Sequence, residues 1–167
     1  MTQAVQHLPQ RAHRVAPLVH ERPDASDSDF GVLASGVSEP EQVMALLAQA
    51  CPSFAAEWRE HQQVNGASLL YIAATAFAHH LLSLHKADDL ACFPQVAACI
   101  ERVLQHGSEE VREFIAIGVL EGLQNVWSAD GADPEDLRAK LGDQGRRWWQ
   151  SLNDFWCGRV PYIGYAS

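Results

Sequence analysis

Helix-start signals recur along this chain, and nothing else in it competes with them. Ser38-Glu39-Pro40-Glu41 sets a hydroxyl three residues before a carboxylate, with proline in the first turn. There Ser38 is placed to accept the Glu41 N–H while Glu41 reaches back. Proline sacrifices nothing in a turn whose N–H groups have no intrahelical partner. Ser108-Glu109-Glu110 puts two acids where the helix dipole favours them, and Asp133-Pro134-Glu135-Asp136 combines a capping carboxylate with proline and further acids. Stop signals are as regular: Pro52, Asn65-Gly66, Gly107, Gly142 and Gly158. No segment alternates apolar and polar residues with period two between turn signals. The chain is therefore predicted to be all-α, with six or seven antiparallel helices. They would form either a stack of helical hairpins in the manner of a short HEAT-like array or a compact bundle.

The predicted helices follow from these boundaries. One begins after Ser38 and runs through VMALLAQA, and a second covers roughly 53–63. Residues 67–86 are the most apolar stretch: Leu69, Ala73, Ala76, Phe77, His80 and Leu84 share one face, and Tyr71, Ala74, Ala78 and Leu82 cover much of the other. A helix apolar nearly all round reads as a buried central one. The next helix, about 89–105, either begins near Phe93 or kinks at Pro94. A long helix over about 109–128 buries Val111, Ile115, Val119, Leu123 and Val126. Gly118 and Gly122 share that stripe, and each costs about 1 kcal/mol in helix propensity, so a closely approaching neighbour helix is expected there. A short helix at 133–141 precedes the last one, 143–157, in which Trp149, Leu152 and Trp156 are expected in the core and Trp148 partly exposed.

Outside this region the pattern changes. Residues 1–37 carry Pro9, Pro17, Pro23 and the polar run DASDSD without sustained periodicity, and are read as an arm, disordered or loosely docked. The domain itself spans 38–158, and 159–167 form a tail with Tyr162 and Tyr165 as anchors. The N-terminus has no apolar core behind Arg11 and Arg14, so it is not a secretory signal, and no run of about 18 apolar residues suggests a membrane span. Cys51, Cys92, Cys99 and Cys157 are sparse and mostly set among apolar neighbours, which reads as reduced thiols in a cytoplasmic protein.

A formal charge of −9 argues against nucleic acid or an anionic membrane as the main partner and allows a basic protein. The charge is concentrated: residues 88–136 hold 11 acids and two bases. On the 109–128 helix, α-helical spacing puts Glu110, Glu113, Ile117, Glu121 and Gln124 on one exposed stripe. A charge run is usually a solvated face, but Ile117 amid carboxylates resembles an interface: the field steers a basic partner and the apolar centre is buried on contact. Asp130 would extend the patch, and Trp148 would meet either the tail or a partner.

Catalytic signals are missing. There is no G-x-S-x-G, P-loop, H-E-x-x-H or G-x-G-x-x-G, and Cys51-Pro52-Ser53-Phe54 reads as a helix break. His79 and His80 point about 100° apart on a helix and do not readily chelate one metal. His80 reads as a satisfied core histidine and His85 as a partner of Asp88 or Asp89. Cys92 and Cys99, seven apart, fit packing better than zinc ligation. No catalytic residue, metal or cofactor is expected.

The run Ile100-Glu101-x-x-Leu104, Gly107, Val111 and Gly118-Val119-Leu120-Glu121-Gly122-Leu123-Gln124-Asn125, with Leu141-Gly142, Trp149, Leu152 and Phe155-Trp156, resembles an uncharacterised bacterial all-helical family of unknown function over roughly residues 45–158. That resemblance implies an immunity-type protein accompanying a polymorphic toxin. The expected function is then a non-enzymatic module that neutralises a cognate basic toxin through an acidic helical face. The alternatives are a helical-repeat adaptor in an intracellular complex and an enzyme using His79, His80, His85 and carboxylates.

Overall fold

Proline and a capping residue open the helices where the sequence predicts, with small shifts of register. A computed structural model describes residues 37–164; the arm read at 1–37, save Val37, and Tyr165 lie outside the described residues. Helix α1, Pro40–Ala50, starts one residue later than the Ser38 box implies. Its N-cap is Glu39, and the side chain that reaches back is Gln42, whose Oε1 accepts the Ser38 and Glu39 N–H groups at 2.9 and 3.1 Å. A 3-10 turn, Pro52–Phe54, leads into α2, Ala55–Asn65. Helix α3 is Leu70–Lys86 and α4 is Phe93–His106, so Pro94 falls in a first turn rather than at a kink.

The predicted 109–128 helix is present but not uniform. Helix α5, Glu109–Glu113, is opened by Ser108, whose Oγ accepts the Val111 N–H at 3.3 Å. It widens into a π-helical stretch, Phe114–Leu120, and continues as α6, Glu121–Asp130. The expected close helix contact at Gly118 and Gly122 is not found. A Cβ at Gly118 would lie 2.9 Å from the ring of Phe114, four residues back in the same helix, and one at Gly122 would meet nothing within 4 Å. Gly118 thus makes room for a ring lying over its own wide turn. Helix α7, Pro134–Arg138, is capped by Asp133, whose Oδ1 accepts the Glu135 N–H at 3.0 Å.

Helix α8, Asp143–Trp156, has no side-chain cap of its own. Glu101 of α4 supplies one: its two carboxylate oxygens accept the Gln144 and Gly145 N–H groups at 3.0 and 3.1 Å. Those N–H groups would otherwise be orphans at a positive dipole end. A Cβ at Gly142 would overlap that carboxylate, which explains the glycine.

Among the described residues the fold is all-α with no strand. Helix α3 packs on the π stretch and α6, while α4 packs on α1 and α8. Helices α3 and α4, next to each other in sequence, are not each other's principal partners, and α4 packs on α1 instead. That is bundle packing, not a linear stack in which each unit touches only its neighbours. The core holds Trp127 and Trp149, fully buried, with Phe54, Phe77, Leu81, Ile115 and Leu123. Two tryptophans reverse their expected places: Trp156 is 55% exposed, and Trp148 is buried. The tail explains Trp148. Ile163 is fully buried, Gly164 closes over the indole, and the Gly164 N–H donates to Ser151 Oγ at 2.6 Å.

Candidate functional site

Where α2 turns into α3, the chain leaves apolar side chains in solvent. Asn65-Gly66 ends α2 with Gly66 at φ +58°. The turn is braced by His61, stacked on Trp58 with ring centroids 5.5 Å apart. Its Nε2 donates to the Ser68 carbonyl at 2.9 Å and its Nδ1 accepts from Asn65 Nδ2 at 3.3 Å. Leu69 follows at φ +57° as the N-cap of α3. The left-handed region is costly for a branched apolar residue, and this one is 56% exposed. Ile72 (59%), Tyr71 (53%) and Val64 (75%) are exposed around it. The helix read as wholly buried is therefore buried along Ala73, Ala74, Phe77, Ala78, Leu81 and Leu82, while its first turn is open. The sequence carried one hint of this: an apolar run starting immediately after a tight turn has no element before it to cover its first residues.

Strain without burial gives a direct expectation. Leu69→Asn relieves about 1–2 kcal/mol of left-handed strain, because asparagine tolerates that region, and gives up the packing of the covered half of the side chain. The variant is expected to be about 0.5 kcal/mol more stable by chemical denaturation. A destabilised variant would mean that Leu69 is integral to the fold.

A groove lies on either side of this ridge. Between α2 and α3, about 300 Å³ is lined by Phe54, Glu57, Glu60, His61, Val64 and Ile72. Between α3 and α5, about 410 Å³ is lined by Pro40, Leu70, Tyr71, Glu110, Glu113 and Phe114. Tyr71 meets Phe114 edge to face at 5.4 Å. Burial pushes the Tyr71 hydroxyl above its ordinary pKa, and the carboxylates of Glu113, Glu121 and Glu110 push it further in the same direction.

The structure thus brings two of the predicted residues, Glu110 and Glu113, into the groove beside Tyr71, with Glu121 near enough to act on its hydroxyl, and disperses the rest. Ile117 is half-buried against the core and is not the centre of the patch. Gln124 is buried, its Nε2 donating to the Trp149 carbonyl at 3.4 Å and to Asn153 Oδ1 at 3.2 Å. The cause is the π stretch. Its wider turns shift the register, so the exposed stripe projected from Glu110 does not reach residue 124, although Leu123 and Val126 stay buried as expected. Asp130 pairs with Lys86 at the far end of α3, about 22 Å along the axis from Tyr71. Trp148 is covered by the tail.

The histidines do not converge. His79 is exposed, and half-buried His80 bonds Ser53 Oγ at 2.8 Å and tilts against Phe54. His85 faces Asp136 at 3.7 Å and Trp127, not Asp88 or Asp89. Among the described residues no three metal-ligating side chains come together. Cys92 is the N-cap of α4 and meets Cys51, while Cys99 is buried in the core. Burial and that contact push the Cys92 thiol up to about 12, and burial pushes Cys99 up to about 11. Such thiols carry almost no thiolate at neutral pH, whereas Cys157 is exposed. Iodoacetamide at pH 7.5 is expected to label Cys157 at least about tenfold faster than the other three, as read by peptide mass spectrometry. Fast labelling of Cys92 would reveal a reactive thiol.

A family model described as a domain of unknown function (DUF7674) matches residues 44–157. The chain belongs to this family. No curated protein and no solved structure matches it. The matched span runs from within α1 to just past α8 and contains every groove residue except Pro40. No helix among the described residues is long and apolar enough to cross a membrane.

Proposed function

We propose that the chain is a non-enzymatic protein-binding module of the immunity type, acting in the cytoplasm to occupy and block a cognate basic toxin. The observation that carries this reading is the groove in which Tyr71 lies open beside Glu110 and Glu113. An aromatic face with carboxylates at its edge suits a lysine or arginine side chain, held by ion pairing and by cation–π attraction. Net charge of −9 adds long-range attraction that speeds encounter with a positive surface. Inhibition requires no chemistry of its own: a tight complex over a toxin's active site suffices.

The test is binding and protection against the product of a toxin gene adjacent to this one. Wild-type protein is expected to protect cells, and Glu110→Lys with Glu113→Lys to weaken binding at least about 100-fold, because two contacts become repulsive. Affinity should also fall steeply with added salt. Neutralisation with undiminished affinity of the double variant would remove the acidic face from the contact. A pull-down whose basic partner is not a toxin would replace the immunity reading with that of an intracellular adaptor using the same face.

A further inference from the structure

We infer that the ridge formed by Leu69 and Ile72 of the α3 entry, with Val64 of α2, is the apolar anchor for a basic amphipathic segment of the partner, whose cations enter the carboxylate-lined grooves on both sides. The inference rests on the proposed use of the acidic face and adds to it the apolar centre and the shape of what binds. Three features point to this occupant. First, the ridge is apolar and exposed, and both its flanks are acidic: Glu57 and Glu60 line the α2 side, Glu110 and Glu113 the α5 side. A partner element matching that cross-section carries an apolar stripe with positive residues on either edge, which is the pattern of a basic amphipathic helix. Secondly, one helix is about 10–12 Å across, so cations on long side chains flanking a centred stripe reach grooves on both sides of α3. Thirdly, Leu69 occupies a left-handed backbone position that favours glycine or asparagine, yet presents its side chain to solvent. Its contribution to the fold does not account for it; an external contact does. A second copy of this chain is a poor occupant, since the same four carboxylates would meet their own copies in a chain already at −9.

The experiment uses the full chain and three synthetic 18-residue peptides. One segregates leucine and lysine on opposite faces of a helix, one has the same composition scrambled, and one replaces lysine by glutamate. Titration calorimetry and amide shifts report binding. The segregated lysine peptide is expected to bind at least about tenfold tighter than the scrambled one and to shift amides at 64–76 and 110–114. The glutamate peptide is expected not to bind. Leu69→Asn with Ile72→Ser should lower affinity for the segregated peptide at least about tenfold and leave the scrambled peptide unaffected. Equal binding of both lysine peptides, insensitive to that double variant but lost in Glu110→Lys with Glu113→Lys, would overturn the anchor and leave the acidic-face reading standing. Indifference to both double variants would overturn both readings. A dimer in analytical ultracentrifugation that Leu69→Asn with Ile72→Ser dissociates would assign the ridge to self-contact and overturn the inference.

Discussion

Gln124→Glu is expected to cost about 3 kcal/mol, read as a lower urea midpoint at unchanged slope. The amide nitrogen of Gln124 donates to two acceptors, the Trp149 carbonyl and Asn153 Oδ1, from a buried position between α6 and α8. A carboxylate there has no proton to offer either oxygen and loses its own hydration. The charged form is disfavoured only in the native state, so the new carboxyl's native pKa stands above its unfolded one. The deficit is therefore smallest at low pH, grows as pH rises from the unfolded value, and saturates above the native one. Gln124→Met keeps the length and removes the charge, and is expected to cost about 1 kcal/mol. If residue 124 stood on a solvated stripe with Glu113 and Ile117, both variants would be within about 0.5 kcal/mol of wild type. The pair of measurements therefore tests whether the π stretch displaces the register in solution.

That displacement marks where sequence reasoning stops. Helix starts and stops are local, set by a capping group or a proline within one turn, and Ser108, Asp133, Gly107 and Gly66 are legible for that reason. The residues lining the core of α4 are legible because a single 3.6-residue period holds from Phe93 to Leu104. Nothing local announces seven π-helical residues after Glu113; the core positions Val119, Leu123 and Val126 are buried as the sequence predicts, but the exposed stripe projected as far as Gln124 is not kept. The same limit hid the ridge. Leu69, Tyr71 and Ile72 satisfy the period of a buried helix, and only the path of α2 decides that nothing covers them. Glu57 and Glu60 gain meaning only beside them. The acidic character of the site, in contrast, was visible in bare charge counting, because Glu110 and Glu113 precede the widened turn and keep their predicted face.

Trp127→Ala is expected to cost about 3–5 kcal/mol, enough to unfold a large share of the molecules if the domain sits at the lower end of ordinary stabilities. Trp127 is fully buried where α6 packs on α3, with the His85 ring 6.1 Å away. Its indole N–H is buried and finds no acceptor among the described residues. Trp127→Phe removes that unsatisfied donor along with some volume, so the two effects partly offset and the expected cost is below about 1.5 kcal/mol. The surface pair nearby, Lys86 with Asp130, adds little, being well exposed on both sides. This anchorage lies at the C-terminal end of α3, His85 being about 20 Å along the axis from Ile72 at the open end. Sites so far apart with no shared partner act additively. Trp127→Phe should therefore leave affinity for a basic amphipathic peptide unchanged, and Ile72→Ser should leave the thermal midpoint nearly so. Loss of peptide affinity in a folded Trp127→Phe protein would show instead that the two ends of α3 are coupled, and that recognition depends on the packing of the whole helix rather than on its exposed first turn.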